Sequence, residues 1–128
     1  DVGRFDDIWS GVFLKRAADI LGDSVVTGTP LCEHNKAPRS TFDDLNNEVP
    51  ALELNEHVWE EVDAAGAGAE SYREAFAAMA DRLAATEYDQ WTNGEFLNFV
   101  GEHMRDWLAA LDALESGGRR TPEVAADD

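Results

Sequence analysis

Apolar side chains recur at helical spacing along most of this chain, and that periodicity constrains the fold more than any other feature. Tyr72, Ala75, Phe76, Met79, Ala80 and Leu83 trace one stripe, which predicts a helix over 71–86. A second stripe runs through Phe96, Leu97, Val100, Met104, Trp107, Leu108, Leu111 and Leu114. Thr92 and Glu95 read as a capping box ahead of it, and Gly117-Gly118 as its stop. Ile8, Val12, Phe13, Ala17, Ile20 and Leu21 mark a first helix over 7–21, with Gly22 where a left-handed C-terminal cap falls. Around Val25 and Val26 a short strand is expected over 24–29, broken by Pro30. Residues 31–47 read as a polar loop, 52–62 as a short helix or turn, and 64–69 as an Ala/Gly linker. The expected class is therefore α+β, mainly α, with one short strand.

At 128 residues the chain is the size of one domain and long enough to bury a core. Its net charge of -17, from 27 acidic against 10 basic residues, repels nucleic-acid phosphates and anionic membranes. Dense hydrated carboxylates suit high salt, as on a halophile's surface. A disordered acidic segment would lack the periodic apolar residues present here, and a nucleic-acid mimic would concentrate its acids rather than spread them. Cys32 is the sole cysteine, so an internal disulfide is impossible; it is expected to be a small buried side chain. No apolar run approaches the roughly 20 residues of a membrane span, and a cytoplasmic location is expected. Residues 117–128 lack periodicity and read as a disordered acidic tail.

The candidate chemistry gathers at element boundaries. The run Arg4-Phe5-Asp6-Asp7-Ile8-Trp9-Ser10-Gly11 places two adjacent carboxylates at a helix N-terminus, where the dipole and unpaired amides favour ionised acids. Capping requires only one of them. This run resembles the aromatic-Asp-Asp-apolar-Trp-small-Gly signature of the reversibly glycosylated polypeptide family. That family is also described as UDP-arabinopyranose mutases and is related to glycosyltransferases of the GT-A fold. Further blocks follow in the family's order. Thr27-Gly28-Thr29-Pro30 is similar to its Thr-Gly-x-Pro turn, His34-Asn35-Lys36-Ala37 to its His-Ser-Lys-Ala segment, and Met104 through Leu114 to its closing helix.

The resemblance implies that residues 1–116 are the helical C-terminal part of a GT-A-like nucleotide-sugar domain, with the nucleotide-binding half N-terminal to it. It implies a UDP-sugar substrate and a divalent metal, Mn²⁺ or Mg²⁺. Asp6 and Asp7 would be catalytic, one of them acting as general base or stabilising charge at the anomeric carbon. His34 would ligate the metal. Lys36 and Arg39 would hold the diphosphate, Arg39 as a bidentate fork. Trp9 would offer a platform to a sugar face, or else pack in the core between Phe5 and Phe13. His57, His103, Trp59 and Trp91 are assigned to structure. The implied function is a nucleotide-sugar mutase or a self-glycosylating glycosyltransferase from a halophilic archaeon, inactive as this isolated stretch and compatible with homo- or hetero-oligomers. Two alternatives stand beside it: a glycosyltransferase acting on a separate acceptor, and a non-enzymatic helical interaction module.

Overall fold

A computed structural model describes residues 2, 5–33, 35, 38 and 40–117 of the chain. Four helices make up the described part: α1 (Asp6–Leu21), α2 (Thr41–Asp63), α3 (Tyr72–Ala85) and α4 (Glu95–Gly117). Each side chain that recurs every three or four residues can face the same neighbour, and the core is built from such series. Phe5, Trp9, Phe13 and Ala17 line one face from α1. They meet Ala51, Leu54, Val58 and Val62 from α2, Ala75, Met79, Ala80 and Leu83 from α3, and Leu97 and Met104 from α4. The expected end of α1 is present. Gly22 adopts φ +76°, and the Asp23 amide reaches back to Ala18 O at 2.9 Å, the hydrogen bond of a Schellman cap. None of the described helices is long and apolar enough to cross a membrane.

The expected strand is absent. Residues 23–33 form neither helix nor strand, and Val25 and Val26 are 54% and 83% exposed. A strand is stable only when its backbone groups pair with another, and no second strand exists among the described residues to receive them. The fold is therefore all-helical. The α+β class is overturned, and with it the reading as part of a GT-A-like domain, an architecture organised around a nucleotide-binding sheet. Cys32, expected to be buried, is exposed on this same connector.

The loop expected to reach residue 47 ends earlier, because α2 starts at Thr41. Ser40 caps it, its Oγ accepting from the Asp43 amide, and Asp43 and Asp44 sit in the positive first turn. The first half of the helix carries Phe42, Leu45 and Val49 at i, i+3 and i+7, a helical spacing so thin among the polar residues around them that the segment reads as a loop, and all three face solvent. Pro50, which cannot donate to the preceding turn, divides it from the buried half that begins at Ala51.

Helices α3 and α4 form a tight antiparallel hairpin. Ser71 caps α3 by accepting from the Glu74 amide at 3.2 Å, and the α3 C-terminus is closed from α4, where Asn98 Nδ2 donates to Leu83 O at 2.9 Å and Thr86 O at 2.8 Å. The capping box expected at Thr92 is not formed, since α4 begins at Glu95. The Thr92 amide instead donates to Glu53 Oε2 at 3.0 Å, and hydrogen bonds from Thr92 hold that carboxyl below the ordinary range. Nearby, His57 of α2 stacks on Trp91 with ring centroids 4.6 Å apart, and Trp91 stacks in turn on Tyr88. The α3–α4 turn is thus fastened to α2.

Every described Lys and Arg is ion-paired. Lys15 pairs with Asp19 within α1, whereas the arginines tie one helix to another: Arg16 to Asp63, Arg82 to Glu61, Arg105 to Asp81, and Arg73 to both Asp112 and Glu115. Such exposed pairs each contribute only about 0–1 kcal/mol, while the excess carboxylates repel one another across the whole surface. Salt screens both effects, and the repulsion is the larger because acids outnumber cations. Far-UV circular dichroism is expected to show helicity and melting temperature rising from low to molar salt. A flat or falling response would show that the ion pairs dominate.

Candidate functional site

Two features stand at the N-terminal end of α1. The first is the Asp pair. Asp6 and Asp7 occupy the first turn, and both are exposed. Phe5 holds the N-cap position and makes no side-chain cap, so neither carboxylate occupies the N-cap. Consecutive helical positions point about 100° apart, and the two acids accordingly separate. Asp7 Oδ1 accepts from the Ile8 amide at 2.8 Å, whereas Asp6 faces a groove on the other side. The pair presents two separate anions to solvent.

Trp9, the second feature, is buried. It is 3% exposed, its ring lies 6.1 Å from both Phe5 and Phe96, and its indole N–H donates to Asn55 Oδ1 at 3.1 Å. The ring ties α1 to α2 and to the start of α4, and it presents no open face for a sugar to stack on. Among the described residues, no three of His, Cys, Asp and Glu come together to hold a metal ion. His34, Lys36 and Arg39 lie outside the described residues.

Trp9 pairs with Asn55 and Arg16 with Asp63, so α2 runs parallel to α1. Its exposed first half therefore extends past the N-terminus of α1, so Ser40 and Leu21 lie at opposite ends of α1. Ser40 stands at the same end of the molecule as Asp6 and Asp7.

A groove of about 740 Å³ lies between α1 and α4, floored by α3. Ser10, Phe13, Leu14 and Ala17 form one wall, Phe76 the floor, and the α4 stripe from Phe99 to Leu111 the other wall. Tyr72 closes one end, its hydroxyl donating to Asp23 Oδ2 at 2.6 Å, and that bond to a carboxylate raises the phenol above its ordinary range. Sequence periodicity assigned the whole α4 stripe to a core. Leu97 and Met104 are buried, yet Trp107 remains 55% exposed, its ring meeting Phe76 edge-on. Helix α3 runs beside the stripe as far as Asp112 and Glu115 but covers only part of its width, α1 makes no backbone contact with α4, and no sequence signal separates the buried part of the stripe from the open part.

Comparison with known proteins gives a partial match. Over 57 residues the chain is 37% identical to a protein named probable UDP-arabinopyranose mutase 1 from Pisum sativum, and equally to probable UDP-arabinopyranose mutase 2 from Solanum tuberosum. The matched stretch is 44% of this chain and 15% of each relative, so the chain spans about 15% of the length of the curated relatives it matches. No family model and no solved structure matches the chain. What the chain has in common with UDP-arabinopyranose mutases is thus a similarity over part of its length.

Proposed function

We propose that this chain is a helical part of a cytoplasmic, salt-adapted enzyme that handles a UDP-sugar, as a mutase or a self-glycosylating transferase. The observation that carries this reading is the 37% identity over 57 residues to proteins named as UDP-arabinopyranose mutases. In this reading His34, Lys36 and Arg39, one to six residues before Ser40 in sequence, complete the site with Asp6 and Asp7. A diphosphate there would meet Lys36 as a point charge and Arg39 as a fork. Asp6 or Asp7 would face the sugar, stabilising positive charge or accepting a proton. The described residues build no metal site. His34 is proposed as the ligand from this chain to a divalent ion otherwise held by the diphosphate, and no chemical step is assigned to that ion.

Titration of ¹⁵N-labelled chain with UDP and with a UDP-pentose, each with Mg²⁺, tests the reading. Amide shifts are expected in Asp6–Ser10 and in residues 34–39, with no sugar interconversion by this chain alone, because a donor held on one side lacks the orientation that catalysis needs. Shifts confined to other residues, or none, would overturn the assignment. Turnover by the 128 residues would overturn the expectation of inactivity.

A further inference from the structure

The groove between α1 and α4 has the shape of a place left for another helix. Helices α1 and α4 both lie against α3, but their backbones make no contact with each other. The Trp9 and Phe96 rings meet across the gap at one end. From there the walls run about 18 Å, the rise from Phe99 to Leu111. That length accommodates a helix of about 12 residues, with a further turn free to overhang, and apolar anchors at i, i+3 or i+4, and i+7. The lining is apolar and open to solvent: Leu14, Phe99 and Trp107 are each at least half exposed. Soluble proteins seldom leave a contiguous apolar surface of this kind without a partner.

Charge selects the occupant. Asp6 lies on the groove's edge, and Glu102 and Asp106 flank the lining residues His103 and Trp107 on α4. The cation that lines it, Arg73, is engaged by Asp112 and Glu115. A second copy of this chain would bring another net charge of -17 to this acidic rim, and an anionic lipid surface would be repelled likewise. We propose that the groove docks an amphipathic helix of another protein, apolar on the face that enters and carrying Lys or Arg along both flanks. This inference stands independently of the UDP-sugar reading.

The test uses the 128-residue chain and three fluorescein-labelled synthetic peptides. The first is a 14-residue amphipathic helix with Leu and Phe anchors and Lys flanks, the second has Glu in place of each Lys, and the third is a scrambled Lys peptide. Fluorescence anisotropy at near-physiological salt is expected to give saturable binding of the Lys helix, with the Glu and scrambled peptides at least about tenfold weaker. Trp107→Ala and Leu14→Asp, at exposed positions whose loss leaves the core intact, are each expected to weaken binding about tenfold while circular dichroism melts stay near those of the parent. The free chain is expected to sediment as a monomer. Equal binding of all three peptides, no binding up to about 100 µM, or wild-type affinity in both variants would overturn the proposal. A concentration-dependent dimer abolished by Trp107→Ala would also overturn it, by assigning the groove to a second copy.

Discussion

Trp9→Ala is expected to destabilise the chain by about 3–5 kcal/mol, the cost typical of truncating a fully packed large aromatic side chain. Trp9 contacts rings on both sides, Phe5 within its own segment and Phe96 at the start of α4, and is 3% exposed. Its removal leaves a cavity where three helices converge. The loss also orphans Asn55 Oδ1, which accepts from the indole, adding the penalty of an unsatisfied polar group. Trp9→Phe separates these two contributions. It retains most of the apolar volume and is expected to cost about 1–3 kcal/mol through the lost hydrogen bond and the missing ring. Urea denaturation followed by circular dichroism measures both. A cost under about 1 kcal/mol for Trp9→Ala would mean that the ring contributes little to the core and is free for a sugar.

How much of this was legible in the sequence depends, element by element, on whether an apolar stripe has a partner. The stripe from Tyr72 to Leu83 has partners on two sides, so α3 falls within one residue of its expected bounds. For α1 the same holds, and its Gly22 cap is readable because only a left-handed residue closes a Schellman turn without strain. In the first half of α2 the signal is present but thin: Phe42, Leu45 and Val49 repeat at helical spacing among polar residues, and Pro50 reads as a break, so the segment reads as a loop. Val25-Val26 fails in the opposite sense. Local β-propensity is present, but a strand is a relation between two segments, and the second is missing among the described residues. At the candidate site the location of Asp6 and Asp7 in the first turn of α1 was legible. Their divergence follows from helix geometry once both are inside the helix rather than at its cap. The open state of the α4 stripe was not legible, since nothing in Phe99 to Leu111 records that α1 stays too far away to cover it.

Close approach of helices is equally invisible to periodicity, and it yields the last expected result: the same substitution made at two helical glycines should act in opposite directions. Gly11 in α1 is exposed, and a methyl group built there meets nothing within 4 Å. Gly11→Ala should therefore stabilise by about 0.5–1 kcal/mol through helix propensity alone. Gly101 in α4 has the same propensity to gain. There, however, a Cβ would fall 2.7 Å from Ala80 O and against the Ala84 amide nitrogen. Both are backbone atoms of α3, which no rotamer change can move aside, so the hairpin itself must open. Opening it stretches the Asn98 bonds that close α3 and the Arg105–Asp81 pair beside them. Overpacking of this kind costs about 1–3 kcal/mol or more, which exceeds the propensity gain and reverses the sign. Thermal melts of the two variants, in the same buffer, should move apart from the parent, Gly11→Ala upward and Gly101→Ala downward. Gly101→Leu should fail to give a cooperative transition. If Gly101→Ala instead melted at or above the parent temperature, α3 and α4 would have to sit farther apart than described, and the floor and far wall of the groove would have to be redrawn with them.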